Sequence, residues 1–513
     1  MPQDAVHVPS WRARAALAVA LLAAFHGCTL ALALLLFATA PTLVWLAVTH
    51  EKARFDTGYL LLFAVTWIPA IFLMRGVFVR PPRPASGPDR RPLARSEAPA
   101  LFALVDDLAA AARTTGPAEI VLVTEATASV TERGGLLGFG SRRVLFLGLP
   151  LLALLDITEL RAVLAHELGH YLGGDTRTSG VVRYTHSLFV SLVTDMPFLR
   201  SSNLYVALGQ SAARALGTAL ARLYARLYLR LTRRTDRQLE LAADAFAASI
   251  TSAPALARAL EKTAVGQPLF EMYMKTSVAF AVDHGALPSD LLAGFARSMQ
   301  RYTERGTTAG LMTAILDTAP DPHDTHPPLR ERLERLGGPI VPAAPAASAL
   351  DMLAFDHARW LADVVHVDFA VNVPFAPWAA IPAHFLAPSH VARSRALADR
   401  LRGIDPAPRF ASIFGLVAQG RAYEVARAVE PELVTLPQAQ VTALVPQIVI
   451  AALSLLFTGA LLERGAGFVA ILGEESPVLQ LEDTFVAPRA LVRAAFGEDA
   501  AVAALGAWAE RLG

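Results

Sequence analysis

Cysteine is almost absent from this 513-residue chain, where Cys28 stands alone. A single thiol excludes an intrachain disulfide and any zinc site built on several thiolates. Charge is scarce too: Asp, Glu, Lys and Arg make up 18% of the residues, below the usual share of about 25%. The two signs nearly cancel, 46 basic against 45 acidic, for a net charge of +1. A chain without a concentrated basic face is a poor partner for nucleic acid. Only three of the basic residues are lysines (Lys52, Lys262, Lys275), a usage that reads as GC-rich bacterial coding. What the chain has in plenty is apolar side chains, 54% of residues, with a mean hydropathy of +0.41. That excludes wholesale disorder, and the length has room for roughly three domains of about 150 residues.

The apolar residues are unevenly spread. No charge occurs from Ala15 to His50, and none between Asp56 and Arg75. The first run exceeds the ~20 residues that a transmembrane helix needs, and the second is about one bilayer's worth if its flanks snorkel. The first span is placed near 15–40, ended by Pro41, and the second near 57–76. A cleaved signal peptide fits less well, because the first run is too long and a second follows. Arg12 and Arg14 precede the first span; Arg75, Arg80, Arg83, Arg90, Arg91 and Arg95 follow the second. The positive-inside rule puts both outer flanks, and the chain after residue 80, in the cytoplasm. A multi-pass protein of the cell (inner) membrane is expected, with the bilayer as a partner.

Residues 79–98 are rich in Pro and Arg and read as a linker, with some lipid contact allowed. Beyond it, Glu119–Val123 and Arg143–Leu149 read as strands. Thr158–Leu172 reads as a helix, opened by Asp156 and Glu159 in capping-box spacing. Further helices are expected near 205–232, 236–250, 252–264 and 286–304. Residues 338–348 read as a second linker, before a C-terminal region of unknown role. The charge-free stretch between Glu432 and Glu463 is long enough to span a membrane, but Pro437, Gln438, Gln440, Pro446 and Gln447 favour a buried helix. Gly134-Gly135 and Gly138-Phe139-Gly140 read as a flexible loop, since no phosphate-binding lysine accompanies them.

One short segment carries chemistry: His166-Glu167-Leu168-Gly169-His170. Histidines at i and i+4 project from one face of a helix and can share a zinc ion, with Glu167 placed to take a proton from water. Two surface histidines would be the plain alternative. A catalytic zinc ion needs a third protein ligand and an open position. Downstream, Glu240 and Asp244 form a carboxylate face in apolar company. Two unpaired buried carboxylates would be costly; one as a metal ligand and the other supporting a histidine accounts for both. Zinc-bound histidines donate their other ring N–H to a carboxylate or carbonyl. Asp175 and Asp244 are the candidates, and either could be a helix cap instead. Thr325-His326-Pro327-Pro328-Leu329-Arg330-Glu331-Arg332 by itself reads as a turn entering a helix.

Taken in order, HELGH, an aspartate five residues beyond the second histidine, ExxxD and THPPLxER resemble the HtpX-like membrane metallopeptidases. Their eukaryotic relatives are the CAAX prenyl proteases. The resemblance covers roughly 99–337. It implies His166, His170 and Glu240 as zinc ligands and Glu167 as general base. It implies Asp244 and Asp175 as acids behind the ligands, and His326 and Arg332 as catalytic positions that steady the oxyanion and the site. It also implies an edge strand that pairs with an extended peptide, for which Val144–Leu147 is the candidate, with an ordinary inner strand an equal reading of the same residues.

The sequence departs from the family between HELGH and Glu240. Members of the family carry two more spans there, whereas this chain has Arg177, Arg183, Arg200, Arg214, Arg222, Arg226 and Arg230. Arg222, Arg226 and Arg230 lie opposite Leu220, Leu223, Leu227 and Leu231 on one helix, which is expected to pack on the domain or lie on anionic lipid. The expected architecture is α+β and mostly helical: transmembrane helices in 1–78, the linker 79–98, a zincin-like metallopeptidase domain with a small sheet over 99–337, and a mainly helical region over 338–513. The expected function is a membrane-anchored zinc endopeptidase, one Zn2+ per chain, acting on protein or peptide substrates. The alternative is a latent domain of this kind in a membrane scaffold or regulator.

Overall fold

The computed structural model describes residues 11–50, 57–78, 89–133, 142–171, 204–318, 327–337, 347–369, 372–470, 472 and 477–512. Two long helices open the chain, α1 (Trp11–His50) and α2 (Thr57–Phe78). Helix α1 does not end at Pro41 as its sequence suggests, and α2 likewise contains Pro69. A proline removes one main-chain donor, and the remaining ladder carries the helix through. The pair is antiparallel. Trp67 packs edge-on against Phe37 and donates its indole N–H to the Phe37 carbonyl at 3.2 Å, while Ala33 meets Ala70 and Leu73.

A four-stranded sheet follows, from β1 (Arg90–Pro92), β2 (Glu119–Val123), β3 (Ala128–Arg133) and β4 (Arg142–Gly148), in the order β1-β2-β4-β3. Strands β2 and β4 are parallel and the other pairings antiparallel. Side chains alternate across it, as strand geometry requires. Ile120, Leu122, Leu145 and Leu147 enter the main core, whereas Val121, Val123, Val144 and Phe146 cluster on the opposite face. Two expectations change here. Residues 90–92, read as linker, form β1, because Leu93 is buried in the core. Val144–Leu147 lies in β4, an inner strand held on both sides. The edges are β1 and β3; the parallel β2–β4 pairing leaves the intervening β3 outside.

Helix α3 (Pro99–Ala111), the short α4 (Leu149–Leu154) and α5 (Ile157–Gly169) pack on the core side of the sheet. Helix α6 runs unbroken from Leu204 to Ile250, 47 residues, or about 70 Å. Its sequence has no breaker near 233–235, so the two helices expected there are one. Gly209 is pressed so closely to α2 that a β-carbon would lie 2.6 Å from the Ala64 carbonyl oxygen. Leu216 packs onto the Ala33, Ala70 and Leu73 cluster. The contacts therefore advance in the same direction along α2 and α6. Leu223 and Leu227 are exposed, like Arg222 and Arg226, so these two leucines do not pack on the domain. The α2 contact is made about two to four turns before Leu223 on α6, at Leu216 and Gly209.

Helix α7 (Ala253–Tyr273) is bound to α5 through the buried Glu159, which accepts from Lys262 at 2.6 Å and Arg258 at 3.3 Å. Helices α8 (Leu291–Glu304), α9 (Thr307–Asp317), α10 (Leu329–Arg335) and α11 (His357–Phe369) complete this part. Its apolar core continues through Ala349, Leu361, Trp378 and Leu386. A second core begins at Leu397, built on α12 (Ala387–Leu401), α13 (Phe410–Ala418), α14 (Ala422–Val429), α15 (Gln438–Glu463) and three short strands near 467–486. Helix α15 is long and apolar enough to cross a membrane. From Val449 onward it is nevertheless lined by protein: Phe457 stacks on Phe410 at 4.5 Å, and Gly459 abuts Ser394.

Candidate metal centre

Helix α5 begins where its sequence says it should. The Asp156 carboxylate accepts from the Glu159 N–H at 2.8 Å, and Glu159 accepts from the Asp156 N–H at 3.0 Å. These bonds satisfy donors that a helix start leaves bare. His170 closes the helix with backbone angles still in the helical range, so the i,i+4 geometry reaches it. The His166 and His170 rings stand edge-on, centroids 4.8 Å apart.

Helix α6 brings the carboxylates. It can approach because residue 169 is glycine: a β-carbon there would lie 3.1 Å from Ala243 Cα. His166 Nε2 lies 3.5 Å from Glu240 Oε2, and His170 Nε2 lies 3.5 Å from Glu240 Oε1. On the far edge of the His166 ring, Nδ1 meets Asp244 Oδ1 at 2.9 Å. Arg332, from α10, forks onto Asp244 through Nε at 2.8 Å and Nη2 at 2.7 Å. His166, Glu240 and Asp244 are all buried.

The charges are mutually dependent. Burial alone would lower the His166 pKa, but the bond to Asp244 and the nearby Glu240 and Glu167 carboxylates raise it to about 9. Burial pushes the Asp244 carboxyl up, while the Arg332 fork and His166 hold it below the ordinary carboxylate range. In the absence of a metal, His166 is therefore a cation between two carboxylates.

The donor set fits a zinc ion. One ligand atom from each of His166, His170 and Glu240 lies within 4.8 Å of the others. Tetrahedral ligands at about 2.0–2.1 Å from an ion stand about 3.3 Å from one another. The two His–Glu separations of 3.5 Å match that edge and are long for hydrogen bonds. Asp244 on Nδ1 fixes the ring so that Nε2 turns toward His170 and Glu240, the support that metal-ligating histidines need. Arg332 sits on the Nδ1 side of His166, behind the ligand atoms.

Glu167 is half-buried, and its Oε2 accepts the Val130 N–H of β3 at 3.1 Å. This bond, and the Tyr171 hydroxyl on the Val130 carbonyl at 3.2 Å, are features the sequence did not reveal. Tyr171 directly follows HELGH, but nothing local marks the strand it reaches. Asp175, His326 and the glycine-rich loop 134–141 lie outside the described residues.

Residues 96–340 match the model of Peptidase family M48. That is the family of the HtpX-like and CAAX-protease-like metallopeptidases, to which this segment is similar. No curated protein and no solved structure matches the chain.

Proposed function

We propose that the chain is a membrane-anchored, zinc-dependent endopeptidase acting on protein substrates. The observation that carries this reading is the convergence of His166, His170 and Glu240 beside Glu167. In it, residues 99–337 form the peptidase domain, with 349–386 packed onto its core. His166, His170 and Glu240 would hold the metal. When bound, a zinc ion supplies Lewis acidity to a water and to the scissile carbonyl.

Glu167 accepts the water's proton on its carboxylate and delivers it to the leaving amine. Asp244 keeps the His166 proton on Nδ1, and Arg332 neutralises Asp244, so its placement favours support of the site over contact with the oxyanion. His326 keeps the oxyanion role and Asp175 the supporting role that the family pattern assigns. The long apolar helix α1, and the arginines before it and after α2, support anchoring, with the peptidase domain on the cytoplasmic side. Membrane-protein quality control is the role we infer from the family.

The test compares wild type with Glu167→Gln in detergent, measuring zinc content and cleavage of an unfolded protein. Both are expected to hold about one zinc, and only wild type to cut. Two zinc-loaded but inactive proteins would favour the latent, regulatory alternative. A fully active Glu167→Gln would overturn the mechanism.

A further inference from the structure

The edge strand β3 is tied to the catalytic helix at one residue. Thr127 accepts the Gly148 N–H at 2.7 Å, and β3 pairs with β4 in antiparallel register, Val130 opposite Leu145. Bonded and non-bonded pairs alternate in such a ladder. Residues 129, 131 and 133 therefore turn their backbone groups toward β4, and 128, 130 and 132 turn theirs outward. Outward is where an extended peptide would pair. Both outward groups of Val130 are already engaged: its N–H by Glu167 Oε2 at 3.1 Å, its C=O by the Tyr171 hydroxyl at 3.2 Å.

The phenol is itself fixed from behind. Tyr171 is fully buried, and the Arg143 guanidinium lies over its ring at 4.1 Å. Arg143, also buried, donates to Thr114 Oγ1 at 2.7 Å and the Thr115 carbonyl at 2.6 Å. Buried polar groups joined in this way specify one geometry. Tyr171 sits next to His170, Glu167 lies one turn earlier on α5, and both close on the same residue of β3.

We propose that Tyr171 is a positioning residue: it clasps Val130 so that the edge strand stands at a set distance from Glu167 and the metal ligands, which aligns a peptide paired along β3 with the reacting groups. This rests on the endopeptidase reading. A peptide that reaches Ala128 and Glu132 uses the clasped strand to place its scissile bond. A peptide too short to reach β3 does not.

The experiment uses the full chain in detergent, wild type and Tyr171→Phe, with metal content measured for each. Two fluorogenic peptides are compared, one long enough to lie along β3 and one spanning little more than the scissile bond. Tyr171→Phe keeps the ring and its stacking on Arg143 and loses one hydrogen bond. We expect unchanged zinc, a kcat for the long peptide down about tenfold with KM within about twofold, and the short peptide within about twofold of wild type. Amide exchange at 128–133 is expected to quicken while 157–169 stays protected. Equal losses on both peptides, or no loss on the long one, would overturn the clasp. So would unchanged exchange at Val130, a readout that decides the matter even if wild type cuts neither peptide and the endopeptidase reading fails.

Discussion

Replacing Asp244 by alanine removes the one carboxylate that serves both His166 and Arg332. The side chain is 5% exposed and makes three close contacts: Nδ1 of His166 at 2.9 Å, and Nε and Nη2 of Arg332 at 2.8 and 2.7 Å. Two consequences separate. The Arg332 guanidinium, with its side chain 12% exposed, is left as a buried cation without its counterion. Breaking a buried pair from one side costs about 3–5 kcal/mol. His166 also loses the group that holds its proton on Nδ1, and loss of such support lowers metal affinity by roughly 10–100-fold. Chelator competition reads the second quantity, and thermal unfolding with excess chelator the first. Since much of the first loss comes from the stranded cation, Asp244→Ala with Arg332→Met should recover part of the stability and none of the affinity. A metal affinity within about twofold of wild type in Asp244→Ala would refute the assignment of Asp244 to His166.

Other expectations come from the same geometry. Gly169→Val pushes side-chain atoms against Ala243 and Phe246, moving α6 and with it Glu240; metal content should fall sharply while the far-UV spectrum stays helical. Glu159→Ala removes the reciprocal cap of α5 and the partner of Lys262 and Arg258; a loss of about 3 kcal/mol should appear in denaturant unfolding of the metal-free protein. The His166 pKa is raised from 6.5 to about 9, so its contribution to the metal-free fold is complete below about pH 6.5 and is lost as pH rises through 9. Melting temperature with chelator should fall over that interval. Zinc must displace the same proton, so its affinity should rise over the same interval; a flat affinity from pH 6.5 to 9 would contradict a protonated His166.

What the sequence determines by itself is local. The Asp156–Glu159 cap, the i,i+4 histidines and the charge-free helices follow from neighbours along one chain, where spacing and helical geometry suffice. The strands β2 and β4 are legible for the same reason, as short apolar and β-branched runs, whereas which of their side chains face the main core is not, because nearly every position is apolar. Long-range choices were left open. Asp175 and Asp244 are both candidates to hold a zinc-bound histidine; the approach of α6, allowed by Gly169, puts Asp244 on Nδ1 of His166. Val144–Leu147 has the composition of a strand, but whether a strand is inner or edge depends on which partners pair with it. Only the β2–β4 pairing puts β3 outside, within reach of Glu167 and Tyr171. For the apolar stretch 438–463 the prolines and glutamines favour burial over lipid, but the partners are not legible; the contacts of Phe457 and Gly459 enclose its second half in the C-terminal core. The chemistry of the site was written in residue types and spacings, but its geometry depended on how distant segments pack, because packing is a property of pairs of elements and no single segment encodes it.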